Sequence, residues 1–148
     1  MIGYLSLGRD TFDIKYAKQK IYNISKILKK LDYKISEFDK LILSQNDGDK
    51  AIKYFKNKEC DKYIVIQSTF TDAEFILKFA LKFNKPILFI SIKEPRSGKR
   101  LRLNSICGVN LALHALGKNN KKGEFLIFDN NSRTCLLYTS PSPRDLYR

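Results

Sequence analysis

Histidine, cysteine and proline are scarce in this chain of 148 residues, and basic side chains outnumber acidic ones by 28 to 15. The single histidine is His114, so any Ser-His-Asp or Cys-His catalytic arrangement must use it. Three cysteines, Cys60, Cys107 and Cys135, are odd in number and show no metal-ligand spacing. Reduced thiols in a cytoplasmic protein fit that pattern best. No apolar run of membrane-spanning length and no signal-peptide pattern is present, so no membrane partner is expected. Neither a complete Walker A sequence nor GxGxxG occurs, which leaves a nucleotide site without direct support.

What is present describes one soluble globular domain. Hydrophobic residues make up 43% and charged residues 29% of the chain, enough of each for a real core and a solvated surface. The formal net charge of +13 invites a nucleic-acid reading. However, the lysines are scattered along helix-like segments as solvated faces. Abundant Lys, Asn and Ile is also how an AT-rich coding bias looks. No nucleic-acid partner is expected.

The pattern alternates strands and helices. Ile2 to Leu7 reads as a short apolar strand ending at Gly8. Asp10 or Thr11 can cap a helix whose stripe is Ala17, Ile21, Ile24, Leu28 and Leu31, at helical spacing. Tyr33 to Phe38 suggests a second, more exposed strand, with Leu41 to Leu43 a connection or continuation. Asn46-Asp47-Gly48-Asp49 breaks the chain and caps a short helix carrying Ala51, Ile52 and Phe55. Tyr63 to Ile66 is continuously apolar, as in a strand covered on both faces. Thr71 or Asp72 starts a helix with Phe75, Phe79 and Phe83, and Pro86 opens a fourth strand that ends at Lys93. Glu124 to Phe128 is the fifth. This order predicts an α/β fold, a flavodoxin-like or Rossmann-like doubly wound parallel sheet of about five strands.

Between the fourth and fifth strands lies the stretch EPRSGKRLRLNSICGVNLALHAL (Glu94 to Leu116). Arg96, Lys99, Arg100 and Arg102 crowd its Pro/Gly loop. Asn104 or Ser105 can cap the helix that follows. Ile106, Val109, Leu113 and Leu116 form its apolar face, with Cys107, Asn110 and His114 on a mixed one. A basic loop delivered onto a helix N-terminus suits anions or sugar hydroxyls. Cys107 and His114 lie about 10 Å apart along the helix axis at 1.5 Å per residue. That is too far to share a zinc or to act as nucleophile and base. His114 is expected to be a packed, hydrogen-bonded helix residue.

In doubly wound sheets ligands sit beyond the carboxyl ends of the strands. Those ends carry Gly8-Arg9-Asp10, Gln67-Ser68-Thr69 and Glu94-Pro95-Arg96, so Arg9, Thr69 and Glu94 are expected along one edge. Asp10 and Asp13 sit where a phospho-acceptor site would need acids, but the third strand ends in Gln67. Glu94 and Asp72 can form a carboxylate pair there; equally, Asp72 can be a cap and Glu94 a loop ion-pair partner.

The last stretch, CLLYTSPSPRD from Cys135, holds two of the four prolines and departs from everything before it. It resembles translated adapter sequence from a sequencing library. Residues 1–134 are therefore expected to be the N-terminal α/β domain of a truncated protein, and 135–148 a non-native, disordered tail.

The start IGYLSLGRDTFD, the segment QSTFTDA (Gln67 to Ala73) and the Glu94–Leu116 stretch resemble the N-terminal region of the L-fucose isomerase-like family, which includes L-arabinose isomerases. The likeness runs over nearly all of residues 2 to 130. It implies an aldose–ketose isomerase parent that uses a divalent metal, usually Mn2+, and assembles as a homo-oligomeric trimer or hexamer. In that family the metal-binding Glu, Asp and His lie on later domains. The resemblance thus implies no catalytic residue and no bound metal in this segment, which would be inactive alone. Its contribution would be sugar-substrate contacts and assembly. Arg9 resembles a family sugar-binding position. Gln67, Thr69, Asp72, Glu94, Arg96, Arg102 and Asn104 join it as substrate-binding candidates through motif membership and strand-end placement. A non-catalytic sugar- or phosphate-binding module and a basic nucleic-acid-binding domain are the alternatives; salt-dependent DNA binding would mark the latter.

Overall fold

The N-terminal apolar run forms strand β1 (Ile2–Leu7), buried along its whole length. It pairs in parallel with β2 (Ile35–Glu37) on one side and β3 (Lys62–Gln67) on the other. Beyond β3 come β4 (Ile87–Ile92) and β5 (Gly123–Phe128), both parallel. The strand order is therefore β2-β1-β3-β4-β5, the flavodoxin-like order expected from the alternating pattern. This is a computed structural model, and it describes residues 1–96, 98 and 100–129. Lys99 and the proposed foreign tail lie outside the described residues.

Helices cover both faces because the chain reverses direction after β2 and right-handed crossovers then change side. Helix α1 (Ile14–Leu28) lies on one face, where Ala17, Ile24 and Leu28 meet Tyr4, Ile64, Ile66 and Ile90. Helices α2 (Gln45–Lys56), α3 (Glu74–Phe83) and α4 (Ser105–Lys118) share the other. There Phe55, Tyr63 and Phe79 pack edge to face with centroids 4.8 to 5.9 Å apart. Gly3 makes room for Tyr63 and Gly48 for the neighbouring Phe75: a Cβ would come within 2.4 Å of the first ring and 2.6 Å of the second.

Several local expectations are corrected. The first helix is capped by Asp13, whose carboxylate accepts from Tyr16 N at 3.0 Å, not by Asp10 or Thr11. The second strand shrinks to three residues, although Ile42 adds an isolated bridge to Leu7. Asn46-Asp47-Gly48-Asp49 does not break the chain but lies inside α2. Ser44 Oγ accepts from Asp47 N, and buried Asp47 accepts from Leu43 N while pairing with Lys40. This reciprocal capping holds the glycine within the helix. The Lys40 hydrogen bond keeps the Asp47 carboxyl below its ordinary value.

Helix α4 is also rotated from its expected setting. Its buried residues are Ser105, Gly108, Val109, Ala112 and Leu116, whereas Ile106 and Leu113 are only half-buried. His114 is exposed rather than packed, as are Cys107 and Asn110. Gly108 allows the helix to press onto Gln67, whose side-chain nitrogen would lie 2.9 Å from an added Cβ.

Candidate functional site: the carboxyl edge of the sheet

Because all strands are parallel, β1, β3 and β4 end on one edge and bring Arg9, Thr69 and Glu94 there. The edge divides into two parts. The first is a cleft of about 250 Å3 enclosed by the segments after β1, β2 and β3, beside the point where the strand order reverses.

Arg9 and Asp72 line that cleft together with Thr71, Ser44 and Lys78. Arg9 is held at both ends: its backbone N–H donates to Thr69 Oγ1 at 2.8 Å, and its guanidinium donates to Asp72 at 3.2 Å. The guanidinium also sits 5.7 Å from the Phe70 ring centre. Its side chain is nevertheless 40% exposed, which leaves much of the donor fork facing solvent. Asp72 Oδ1 accepts from Glu74 N at the start of α3, so it acts near the helix start as expected while the N-cap position itself is Ala73. Across the cleft, Lys78 pairs with Asp49 at 2.8 Å, tying α3 to α2.

Behind this wall the polar groups are buried. Thr69 is 0% and Gln67 1% exposed. Gln67 Nε2 donates to the Thr69 carbonyl and to Thr71 Oγ1, both at 2.8 Å. Its Oε1 has no protein partner. Gln67 and Thr69 therefore shape the cleft from beneath and do not line it.

The second part is a clamp at the base of the β4–α4 loop. The Glu94 carboxylate accepts from the backbone N–H groups of Arg102, Leu103 and Asn104. Arg102 donates through Nε and Nη2 to Asp13, at 3.0 and 2.6 Å, and stacks over Tyr16 at 4.3 Å. Asp13 is held below the ordinary carboxylate range, first by the Tyr16 N–H and then by Arg102. Leu103, 0% exposed, plugs the α1-side core.

Asn104 occupies the N-cap position of α4 with φ of 52° but makes no side-chain cap bond. Ser105 turns inward instead: its hydroxyl donates to the Gln67 carbonyl and accepts from Ile92 N and Ser91 Oγ. Arg96 lies apart, on a larger hollow of about 460 Å3 lined by Tyr16, Lys20, Phe128 and Asp129 among others. Glu94 and Asp72 do not form a carboxylate pair, since each is engaged separately. Sequence reasoning missed Ser44, for which a serine shortly before NDG was the available signal; Ser105, expected as a possible cap, instead ties α4 to the ends of β3 and β4.

Among the described residues, no three His, Cys, Asp or Glu side chains gather to hold a metal ion. This donor set does not fit a divalent metal centre. No helix among the described residues is long and apolar enough to cross a membrane.

The all-parallel sheet with helices on both faces defines a doubly wound α/β domain, with a donor-lined cleft at the carboxyl ends of its strands. More narrowly, the chain belongs to the family described as the fucose/sulfoquinovose isomerase N-terminal domain, whose model matches residues 3–130. It is 29% identical over 133 residues to proteins named sulfoquinovose isomerase from Priestia aryabhattai and from Priestia megaterium (strain ATCC 12872 / QMB1551), covering 90% of this chain. It is 30% identical over 123 residues, or 83% of this chain, to one of the same name from Alkalicoccus urumqiensis. The chain spans only 30% of the length of the first two relatives and 27% of the third.

Proposed function

We propose that this domain serves a cytoplasmic, homo-oligomeric aldose–ketose sugar isomerase, trimeric or hexameric, as a substrate-contacting element. The reaction is assigned to a divalent metal, Mn2+ by family resemblance, with ligands and proton-transferring groups supplied by the rest of the enzyme. The relatives' name makes a sulfonated hexose one candidate substrate beside fucose- or arabinose-type sugars.

The observation that carries this reading is Arg9. It is fixed at its backbone by Thr69 and at one nitrogen by Asp72, yet presents the rest of its planar fork to the cleft. Such a fork suits adjacent sugar hydroxyls or an anionic substituent in a way lysine does not. In the full-length enzyme, Arg9→Ala should lower kcat/KM by about ten- to a hundredfold, the loss of one charged hydrogen bond, with the melting temperature unchanged. An unchanged kcat/KM would end the claim. The 148-residue chain alone should show no aldose-to-ketose turnover with or without Mn2+; robust conversion would refute the division of labour.

A further inference from the structure

The two cavities at the carboxyl edge differ in how their charges are balanced. Two basic side chains line the cleft beside Arg9, and both are paired: Arg9 with Asp72 at 3.2 Å and Lys78 with Asp49 at 2.8 Å. A third carboxylate, Glu74, also lines it, so this cleft holds no unpaired positive charge and favours uncharged hydroxyls. The hollow of about 460 Å3 on the α1 side shares no lining residue with it. Lys20, Lys93 and Arg96 line the hollow. Lys93 pairs with Asp129 at 2.6 Å. Among the described residues, no carboxylate pairs with Lys20 or Arg96.

The imbalance follows from the sequence of α1. That helix carries Lys15, Lys18, Lys20 and Lys26 and no Asp or Glu, so Lys20 has no acidic neighbour one turn away. Its ammonium instead lies 4.9 Å from the centre of the Tyr16 ring, which also carries the Arg102 guanidinium at 4.3 Å. Contact with the ring holds this half-buried lysine at the wall of the hollow. Glu94, an acid on the same wall, is committed to three backbone N–H groups. Ile92 and Phe128, both of the α1-side core, supply an apolar lining. Two unpaired cations from elements distant in sequence thus meet in one concave, partly apolar space, where their field is focused.

We propose that this hollow binds a tetrahedral oxyanion, free or as the phosphate or sulfonate of a small molecule, held by Lys20 and Arg96. The guanidinium of Arg96 offers a planar fork to two oxygens, and Lys20 adds a point charge. Three cations against two carboxylates, Glu94 and Asp129, leave the lining at a net charge of +1, which an anion of this kind would neutralise. The volume falls within the range of small-molecule pockets, about 300–1,000 Å3, so the remainder of a ligand has room beside its charged group. The site is independent of the Arg9 reading, because the two cavities have no residue in common.

Nitrogen-15 NMR titration of the 148-residue chain, at low ionic strength in a phosphate-free buffer, tests this with inorganic phosphate, glucose 6-phosphate, sulfoquinovose and glucose. At least one of the anions should shift the Lys20, Lys93 and Glu94 amides saturably, with a Kd of about 1 mM or below, and glucose should leave them in place. Tighter binding of the two substituted sugars would make the ligand a sugar derivative, and equal or tighter binding of phosphate would make it the free anion; both support the site. Lys20→Gln combined with Arg96→Gln should raise the Kd at least about tenfold, whereas Arg9→Gln should not change it. Shifts that never saturate, or that spread evenly along the α1 lysines, would overturn the proposal. Binding lost in Arg9→Gln but kept in the double variant would place the anion in the cleft, which overturns this site and spares the Arg9 reading. Should the double variant fail to fold by circular dichroism, the two single variants decide, each expected to weaken binding about threefold by additivity; undiminished binding in both would overturn the proposal.

Discussion

Two loop systems leave the same edge of the sheet and spend their polar side chains in opposite ways. After β1 and β3, the backbone is satisfied largely by buried groups, Thr69 Oγ1 and Gln67 Nε2 among them. That leaves the Arg9 fork partly free in the cleft. After β4, the carboxylate of Glu94 and the guanidinium of Arg102 are consumed internally, by three backbone N–H groups and by Asp13. A charged residue at a strand end is available to a ligand only where something else satisfies the surrounding amides. The comparison therefore leaves the first loop system with donors to spare for the proposed sugar contact and commits those of the second to holding the loop.

The sharpest way to break it is Glu94→Ala. Three backbone N–H groups would lose a charged acceptor, although the site is half-buried and water can replace part of it. The expected loss is about 2 kcal/mol, or roughly 5–10 °C in Tm for a domain of this size. A thermal melt within a degree of the parent would erase the distinction between clamp and cleft. Gly108→Ala comes next. Its Cβ would press on a Gln67 side chain pinned by two hydrogen bonds. Overpacking of about 1–3 kcal/mol outweighs the roughly 1 kcal/mol helix-propensity gain. A net loss of about 1 kcal/mol in denaturant unfolding is expected; a gain would show that Gln67 yields freely.

Arg102→Ala should do less. Its pair with Asp13 is about one-third exposed on each side, so solvent screening limits the loss to about 1 kcal/mol or below, part of it the Tyr16 stacking. Arg9→Ala, in contrast, should move stability by no more than about 0.5 kcal/mol. Chemical denaturation of both variants side by side measures the difference. Equal losses would mean Arg9 is another structural tie.

How much of this was legible in the sequence follows the range of the interactions involved. Apart from β2, only Ile-Ser-Glu, the strands were readable because each holds a short apolar run flanked by polar residues, and a parallel sheet then fixes which ends share an edge. That placed Arg9, Thr69 and Glu94 correctly along it. The division into cleft and clamp was not readable. It depends on contacts such as Arg102 to Asp13, 89 residues apart in sequence, for which no local pattern exists. The NDG stretch misled for a related reason. Glycine after Asn-Asp is a turn signal in isolation, but here Ser44 and Asp47 cap the helix across it and Phe75 fills the space a side chain would need. Helix α4 showed its period but not its rotation, because Ser105 and Gly108, absent from any hydrophobic count, are among the residues it buries.

The smallest predicted effect concerns acid. Asp13 is depressed below its ordinary carboxylate value, chiefly by the Tyr16 N–H and next by Arg102. A depressed carboxyl contributes stability that is present above its unfolded value, near 3.9, and is lost as pH falls through its lower folded value. Unfolding at a series of pH values should therefore show stability flat from about pH 7 to 5 with respect to this group, then declining below about pH 4. Asparagine caps helices about as well as aspartate, so Asp13→Asn should cost little near neutrality beyond weakening the Arg102 contact. What it should remove is part of the acid-side slope. Asp47, held by Lys40, and Asp61, held by the N-terminal ammonium, are also depressed and would keep the remainder. A variant whose profile below pH 4 superimposes on the parent's would show that Asp13 contributes no proton linkage, and that the clamp rests on Glu94 and Leu103 instead.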